Sequence, residues 1–121
     1  MDHRILDWSR KATADYRTKQ YYALKLAASN YATLCDTQGE LSIGVLQNKP
    51  NTGEAATVCF LGISNIIAHD TNIVAGSKLT VDANGKVEVA ASADEVIGIA
   101  LEACGTNDDI ISAFICPMGV L

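Results

Sequence analysis

The side chains that could carry out chemistry in this sequence begin with four cysteines and two histidines. They are Cys35, Cys59, Cys104 and Cys116, with His3 and His69. No two cysteines have the Cys-x-x-Cys spacing, and two histidines do not complete any of the usual zinc patterns. Cys59 and Cys116 each lie in an apolar run, which predicts reduced thiols packed as small hydrophobic side chains, with disulfides as the alternative. We therefore expect no bound metal.

Hydrolytic and phosphate-handling motifs are also missing. The sequence has no Gly-x-Ser-x-Gly, no phosphate-binding glycine loop and no His-Glu-x-x-His. His69 precedes Asp70 in the polar run HDTN, which is typical of a solvated loop between strands. The acidic pairs Asp94-Glu95 and Asp108-Asp109 lie at turn positions, where adjacent carboxylates point apart rather than flank a substrate. These patterns predict a protein that is not an enzyme and needs no cofactor.

Two large rings stand out in the first 18 residues, where no hydrophobic period persists. Trp8 and Tyr16 are scattered there among charges, together with Ile5 and Leu6. Such rings either fold back onto the domain or anchor a partner. Because tryptophan and tyrosine are enriched at interface hot spots, we expect them to anchor a partner.

Charge divides the chain into a basic beginning and an acidic remainder. Residues 1–35 carry six bases against three acids, whereas the rest carries three bases against eleven acids, giving a net charge of −5. An acidic body repels phosphate backbones, so no direct nucleic-acid binding is expected. The basic segment suits an acidic protein surface, although it could also be a solvated segment whose sign is accidental. The candidate partner-contact residues are Arg4, Ile5, Leu6, Trp8, Arg10, Lys11, Tyr16, Arg17 and Lys19.

Length and composition predict one domain with a modest core. The chain has 121 residues, of which 49% are hydrophobic but only 6% aromatic. A core with few large rings gains less on burial, so we expect further stability from oligomerisation or from a partner. The longest nearly apolar stretch, residues 55–68, is shorter than a membrane span, and the first twelve residues lack the apolar run of a signal peptide.

The elements that would position these residues are an N-terminal arm and a series of short strands. Residues 1–18 are interpreted as an extended arm with a short helical turn near residues 7–14, and residues 19–121 as a β-rich domain. Alternation of apolar side chains predicts strands over residues 22–26 and 31–35, with helix as the competitor. Further strands are predicted at 41–47 and 56–64, joined as an antiparallel pair by the turn-rich loop 48–54.

The clearest local signal is a hairpin in KLTVDANGKVEVA, residues 78–90. Asn84-Gly85 is the dipeptide preferred in two-residue hairpin turns with positive φ. Residues 95–104 place Ile97, Ile99, Leu101 and Ala103 on one predicted face, with Gly98 allowing close approach of a neighbouring strand. With a last strand at 110–116, the pattern predicts an all-β fold, a small antiparallel barrel or tulip-like domain built of hairpins.

Four segments in a fixed order resemble the capsid decoration, or cement, proteins of tailed bacteriophages. They are SIGVLQNKPNTGEAATV (42–58), GSKLTVDANGKVEVA (76–90), VIGIALEA (96–103) and DIISAFI (109–115). The resemblance covers residues 40–116 and leaves out the first 35 residues.

This resemblance implies a non-enzymatic virion protein on the outer surface of the capsid. It implies binding to the major capsid protein, commonly as a homotrimer, and stabilisation of the assembled head; the basic, aromatic arm would order on the shell and help to anchor it. Nothing in the sequence suggests a membrane partner. The alternative is a ligand- or carbohydrate-binding, adhesin-like β-barrel on a virion, which the single tryptophan disfavours.

Overall fold

The computed structural model describes residues 3–121, with side chains from Arg4 onward, and consists of β-strands and loops over that range. The all-β prediction is confirmed. Within these residues no helix is long and apolar enough to cross a membrane. The strands are β1 (His3–Ala12), β2 (Ala23–Leu26), β3 (Tyr31–Leu34), β4 (Gly44–Leu46), β5 (Ala55–Ala68), β6 (Lys78–Val81), β7 (Val87–Val89), β8 (Glu95–Ala100) and β9 (Asp109–Val120).

The strands form two closed rings that share β5. The N-terminal ring runs β1-β3-β2-β4-β5 and closes through β1–β5, and the C-terminal ring runs β5-β7-β6-β8-β9 and closes through β5–β9. Both rings follow one pairing scheme, in which the first strand is parallel to the third and antiparallel to the fifth. The predicted barrel is therefore a mixed sheet, because β1–β3 and β5–β7 are parallel while the other pairings are antiparallel.

Two hydrophobic clusters fill the rings in place of one central core. The larger cluster lies mostly in the C-terminal ring, where Ile66, Leu79 and Ile115 are fully buried. The smaller cluster belongs to the N-terminal ring and includes Tyr16 and Leu24. Both contain fully buried alanines, and Tyr16 is the only ring among their buried members. The scarcity of aromatics in the composition thus appears directly in the packing.

The first strand corrects the interpretation of the N-terminal segment. Residues His3–Ala12 pair with β5 in a register from His3↔Ile63 to Lys11↔Ala55, so the extended arm is not confirmed and the predicted helical turn is wrong. The physical reason is that Trp8, Arg10 and Ala12 turn inward, whereas Ser9 and Lys11 between them are exposed, which is a period of two. Of the predicted arm, residues 1 and 2 lie outside the described residues.

The hairpin over residues 78–90 is confirmed, although its turn is longer than predicted. Pairing ends at Val81↔Val87, which leaves a five-residue loop. Gly85 has a φ of 78°, whereas Asn84 has no positive φ. The loop is held by the Asp82 carboxylate, whose Oδ1 accepts hydrogen bonds from the backbone N–H groups of Asn84 and Lys86 at 2.8 and 3.0 Å. Side-chain capping by aspartate therefore determines this turn.

Of the four residues predicted on one face of residues 95–104, only Ile97 lies in the core, and Ala103 is exposed. A register shift between Val96 and Gly98 places Ile97 in the larger cluster, while Ile99 and Leu101 point outward. The expected close approach at Gly98 is confirmed, because a Cβ there would collide with the carbonyl oxygen of Phe114. A bulge thus exchanges the two faces of the strand.

The four cysteines give a first testable expectation. All are free thiols, and three are buried, whereas Cys116 is partly exposed. Burial, with a contribution from the Glu40 carboxylate, raises the pKa of Cys35 to about 12. Since the thiolate is the reactive form, iodoacetamide at pH 8 should modify Cys116 first and Cys35 only after unfolding, as read by mass spectrometry.

Zinc content and sensitivity to reductant complete this test. We expect no stoichiometric zinc by elemental analysis and no change in melting temperature with mild reductant. Rapid labelling of Cys35 in the native protein, or a large loss of stability with reductant, would contradict the expectation of structural thiols.

Candidate functional site

An open groove runs along β1 on both sides of the Trp8 indole. On one side Leu6, Trp8 and Phe60 line an apolar cavity of about 300 Å³. The Trp8 and Phe60 rings meet edge to face, with centroids 6.2 Å apart and planes inclined at 75°. On the other side a polar cleft of about 500 Å³ is lined by Trp8, Ser9, Arg10, Lys11, Asn30 and Ala55. We call the two together the β1 groove.

Irregular pairing between β1 and β5 shapes this groove. Register shifts flank Leu6, so that Leu6 lies opposite Leu61 and Asp7 opposite Cys59, which leaves Ile5 and Phe60 without partners in register. Ile5 is 71% exposed and Leu6 is 48% exposed. Such bulges bend a strand and redirect its side chains. Here they leave apolar side chains at the surface.

The indole N–H of Trp8 has no hydrogen-bond acceptor in the described chain. It is half-buried and packs against the smaller cluster. Its indole Nε1 is buried without a hydrogen-bond partner among the described residues. An unsatisfied buried donor costs about 1–3 kcal/mol. The described chain thus supplies no acceptor for the Trp8 N–H.

Basic groups surround the polar side of the groove. The Arg10 guanidinium lies 4.9 Å from the centroid of the Trp8 ring and donates a hydrogen bond of 3.1 Å to Asn30 Oδ1. Arg4 lies 3.4 Å from the Asp7 carboxylate and donates to Gln47 Oε1 at 3.1 Å. Lys11 is exposed and has no ion pair within residues 4–121. The strand thus presents positive charge on a protein whose net charge is −5.

Three of the candidate contact residues lie away from this groove. Tyr16 is only 6% exposed, and its hydroxyl lies 3.0 Å from Thr13 Oγ1 and accepts a hydrogen bond from the backbone N–H of Leu34 at 2.9 Å. Tyr16 is therefore a core residue in the structure. Arg17 forms a two-pronged pair with Asp15, whose pKa these hydrogen bonds lower to about 2.

Lys19 is the third of these residues. Its Nζ lies 4.8 Å from the centroid of the Tyr22 ring. The structure thus brings together the other six candidates, which all lie on β1. They are Arg4, Ile5, Leu6, Trp8, Arg10 and Lys11.

One edge of β1 has no strand beside it over most of its length. β5 pairs with one edge from His3 to Lys11, whereas on the other edge β3 pairs only with Lys11 and Ala12. Within the described chain no strand pairs with the second edge of residues 4–9. An exposed strand edge offers backbone donors and acceptors to an incoming strand.

Sequence reasoning did not identify Phe60 or Asn30 as part of the site. Phe60 lies in the run ATVCFLGIS, which the sequence predicts only as a strand. The signal that could have found it is the continuity of that run, because a strand with one solvated face alternates apolar and polar residues. Asn30 lies in a turn with positive φ (66°), and nothing in the sequence relates it to Arg10.

Other parts of the described chain offer less for binding. No group of three or more metal-ligating side chains occurs within residues 4–121. His69 Nδ1 and Lys86 Nζ both contact Asp108 Oδ1, at 2.9 and 2.6 Å, and these contacts lower the pKa of that carboxyl. Within the β1 groove itself, no polar side chain lines the apolar cavity to orient a sugar. The β1 groove is the stronger candidate, and it suits another protein surface.

Comparison with known proteins gives one family match and a solved structure of similar fold. A family model described as phage cement protein matches residues 2–115. Among solved structures, the chain is similar to the N base of the head fiber gp8.5 in bacteriophage phi29, with a TM-score of 0.69 and 17% identity over 91% of this chain and 92% of that one. A comparison with curated protein sequences found no match.

The family match and the all-β fold thus define the class, a structural protein of the phage head. The chain belongs to the phage cement protein family. Members of this family are virion components on the exterior of the capsid, and this is the localisation of the chain. The resemblance found in residues 40–116 is confirmed and extends to the N-terminal strand.

Proposed function

We propose that this chain is a non-enzymatic cement protein that binds the major capsid protein on the outside of the assembled phage head and stabilises it as a homotrimer. One observation carries the attachment step. The β1 groove combines exposed apolar side chains with the positive charges of Arg10 and Lys11 on an otherwise acidic protein. The proposed partner surface is therefore apolar at its centre and acidic around it.

The apolar part of the β1 groove would supply most of the binding free energy. Fully burying a large apolar side chain contributes about 1.5–3 kcal/mol. Ile5 and Leu6 are largely exposed and Trp8 is half-exposed, so all three have surface left to bury. The partner covering them would also surround the Trp8–Phe60 pair, the arrangement typical of an interface hot spot.

The basic side chains would act mainly on the encounter. Exposed ion pairs contribute about 0–1 kcal/mol each, but several positive charges on one strand steer an acidic surface toward it. Arg4, Arg10 and Lys11 are the proposed contacts. Arg17 and Lys19 would add only to the long-range field, because they lie outside β1 and away from its groove.

A preformed strand changes the energetics expected for a flexible arm. Ordering a disordered segment costs about 1–2 kcal/mol per residue in backbone entropy. Because β1 is already paired with β5, this cost would not arise for residues 3–12. The unpaired edge of β1 could also accept a strand of the capsid protein, whose backbone hydrogen bonds would fix the register of attachment. Tyr16 would hold β1 in place from the core.

Undecorated mature shells mixed with the purified protein provide the test. We expect electron microscopy to show density on the outer surface at saturating protein. The association rate should fall with added salt, because screening weakens steering by exposed charges. Decorated shells should also withstand a higher temperature before releasing DNA. Shells that remain bare at saturating protein would refute capsid binding, and a rate independent of salt would refute steering by β1.

A further inference from the structure

Strands β5 and β9 are apolar on both of their faces. Their inner side chains, such as Ile66 and Ile111, are buried in the larger cluster. The alternate side chains are mostly apolar as well, apart from Thr57, Asn65 and Ser112, which is close to the pattern of a strand covered on both sides. Within the described chain, however, nothing covers Ile110, which is 52% exposed.

Strand register joins these outward side chains into one surface. Ile63 lies opposite Phe114, which lies opposite Ile99 on β8, and Ile67 lies opposite Ile110. Residues directly opposite on adjacent strands share a face. Leu101 continues the surface, because its backbone N–H donates to the carbonyl of Ser112 at 2.9 Å. We call this surface the outer face; it consists of Ile63, Ile67, Ile99, Leu101, Ile110 and Phe114.

The centre of the outer face is uncharged. Residues 63–67 and 110–114 contain no acid or base, and the polar pair between the apolar ones is Asn65↔Ser112. Charges occur only at the margin. Lys78 lies opposite Ile99, and Asp108 lies beyond the end of β9, where Lys86 and His69 compensate it. An apolar centre with a polar rim is the anatomy of a protein interface.

We propose that the outer face is the contact between copies of this chain in the homotrimer, an inference that rests on the proposed function. A second copy carries the same net charge of −5, so two copies approach most favourably where neither presents carboxylates. The outer face meets this condition. An acidic capsid surface, in contrast, is complementary to β1, whose bases lie on a different strand.

The distribution of charge therefore favours a different partner for each of the two surfaces. The β1 groove is proposed for the capsid, and the outer face for neighbouring copies. Covering the outer face would also provide the second apolar layer that β5 and β9 lack within one chain.

Two aliphatic side chains of the same size and exposure allow a matched test. Ile110 on the outer face and Leu26 on β2 are both 52% exposed. We expect Ile110→Asp to raise the dissociation constant between copies at least about 30-fold, as at an interface hot spot. Leu26→Asp should change it less than about threefold, within the usual range of surface substitutions. Sedimentation equilibrium of the full chain over a range of concentrations measures both.

A milder variant guards against misfolding. Ile110→Thr keeps a β-branched side chain suited to a strand while removing apolar surface, so it should weaken association in the same direction with an unchanged circular dichroism spectrum. If both Ile110 variants associate as tightly as the wild type, the outer face is not the contact, even if the homotrimer itself stands. A wild type that is monomeric in solution and on shells would overturn both the contact and the homotrimer. Dimers dissociated by Ile110→Asp would support the contact and refute three copies.

Discussion

Deleting residues 1–18 is expected to unfold much of the N-terminal ring and not merely to remove an attachment arm. The deletion takes away β1, which pairs with β5 along most of its length, and leaves an edge of β5 exposed. It also removes Ala12 and Tyr16 from the smaller cluster. Loss of one buried aromatic ring alone costs about 3–5 kcal/mol, which is comparable with the whole stability of about 5–15 kcal/mol for a small domain.

Thermal unfolding followed by circular dichroism measures this effect. We expect the truncated protein to melt at a much lower temperature or to lack a cooperative transition. Ile5→Ala is a suitable control, because Ile5 is 71% exposed and should change stability little. A truncated protein with the melting temperature of the full chain would show that residues 1–18 are separable, as the sequence alone predicted.

The second large effect is expected for Trp8→Ala on shell binding. Truncating a central interface ring costs at least about 2 kcal/mol, or roughly 30-fold in the dissociation constant. Lys11→Ala should weaken binding only a few-fold, because an exposed ion pair contributes about 0–1 kcal/mol. Titration of fluorescently labelled protein onto undecorated shells gives both constants.

Since Trp8 also packs against the smaller cluster, stability and binding must be separated. Leu6 also lines the apolar cavity, and its side chain is 48% exposed. Leu6→Ala should therefore reduce the affinity for shells with little change in melting temperature. Trp8→Ala should leave association between copies unchanged. Equal losses for Lys11→Ala and Trp8→Ala, or unchanged binding of Leu6→Ala, would place the capsid contact elsewhere.

Local signals in the sequence predicted the strands but not how they meet. The hairpin over residues 78–90 was predictable because turn chemistry and alternation agree within one short segment. The strand character of residues 3–12 was not, because its apolar side chains are scattered among charges without a regular period, and its partner β5 lies half a chain away. Only tertiary pairing distinguishes such a strand from a mobile arm.

The same limit applies to the candidate site. Basic and aromatic residues on β1 were identifiable from type alone, and six of the nine candidates do lie together. Tyr16 could not be assigned to the core, because the hydrogen bond from the Leu34 N–H that holds it there comes from a separate strand. The exchange of inward and outward faces along β8 after Ile97 was equally unpredictable, since a single bulge changes which face every later residue occupies.

The sharing of β5 by two rings has a consequence for how fast the protein folds and unfolds. Each ring closes only when strands far apart in the chain meet. These strands are β1 and β5 in the N-terminal ring, and β5 and β9 in the C-terminal ring. Such non-local topologies have high contact order and fold slowly. In return, Gly62 and Ile63 of β5 pair with β1 and with β9 at once, so opening one ring at these residues disturbs the other, which raises the barrier to unfolding. On the exterior of a virion, where chaperones cannot refold a damaged subunit, this kinetic persistence matters more than the equilibrium free energy of unfolding.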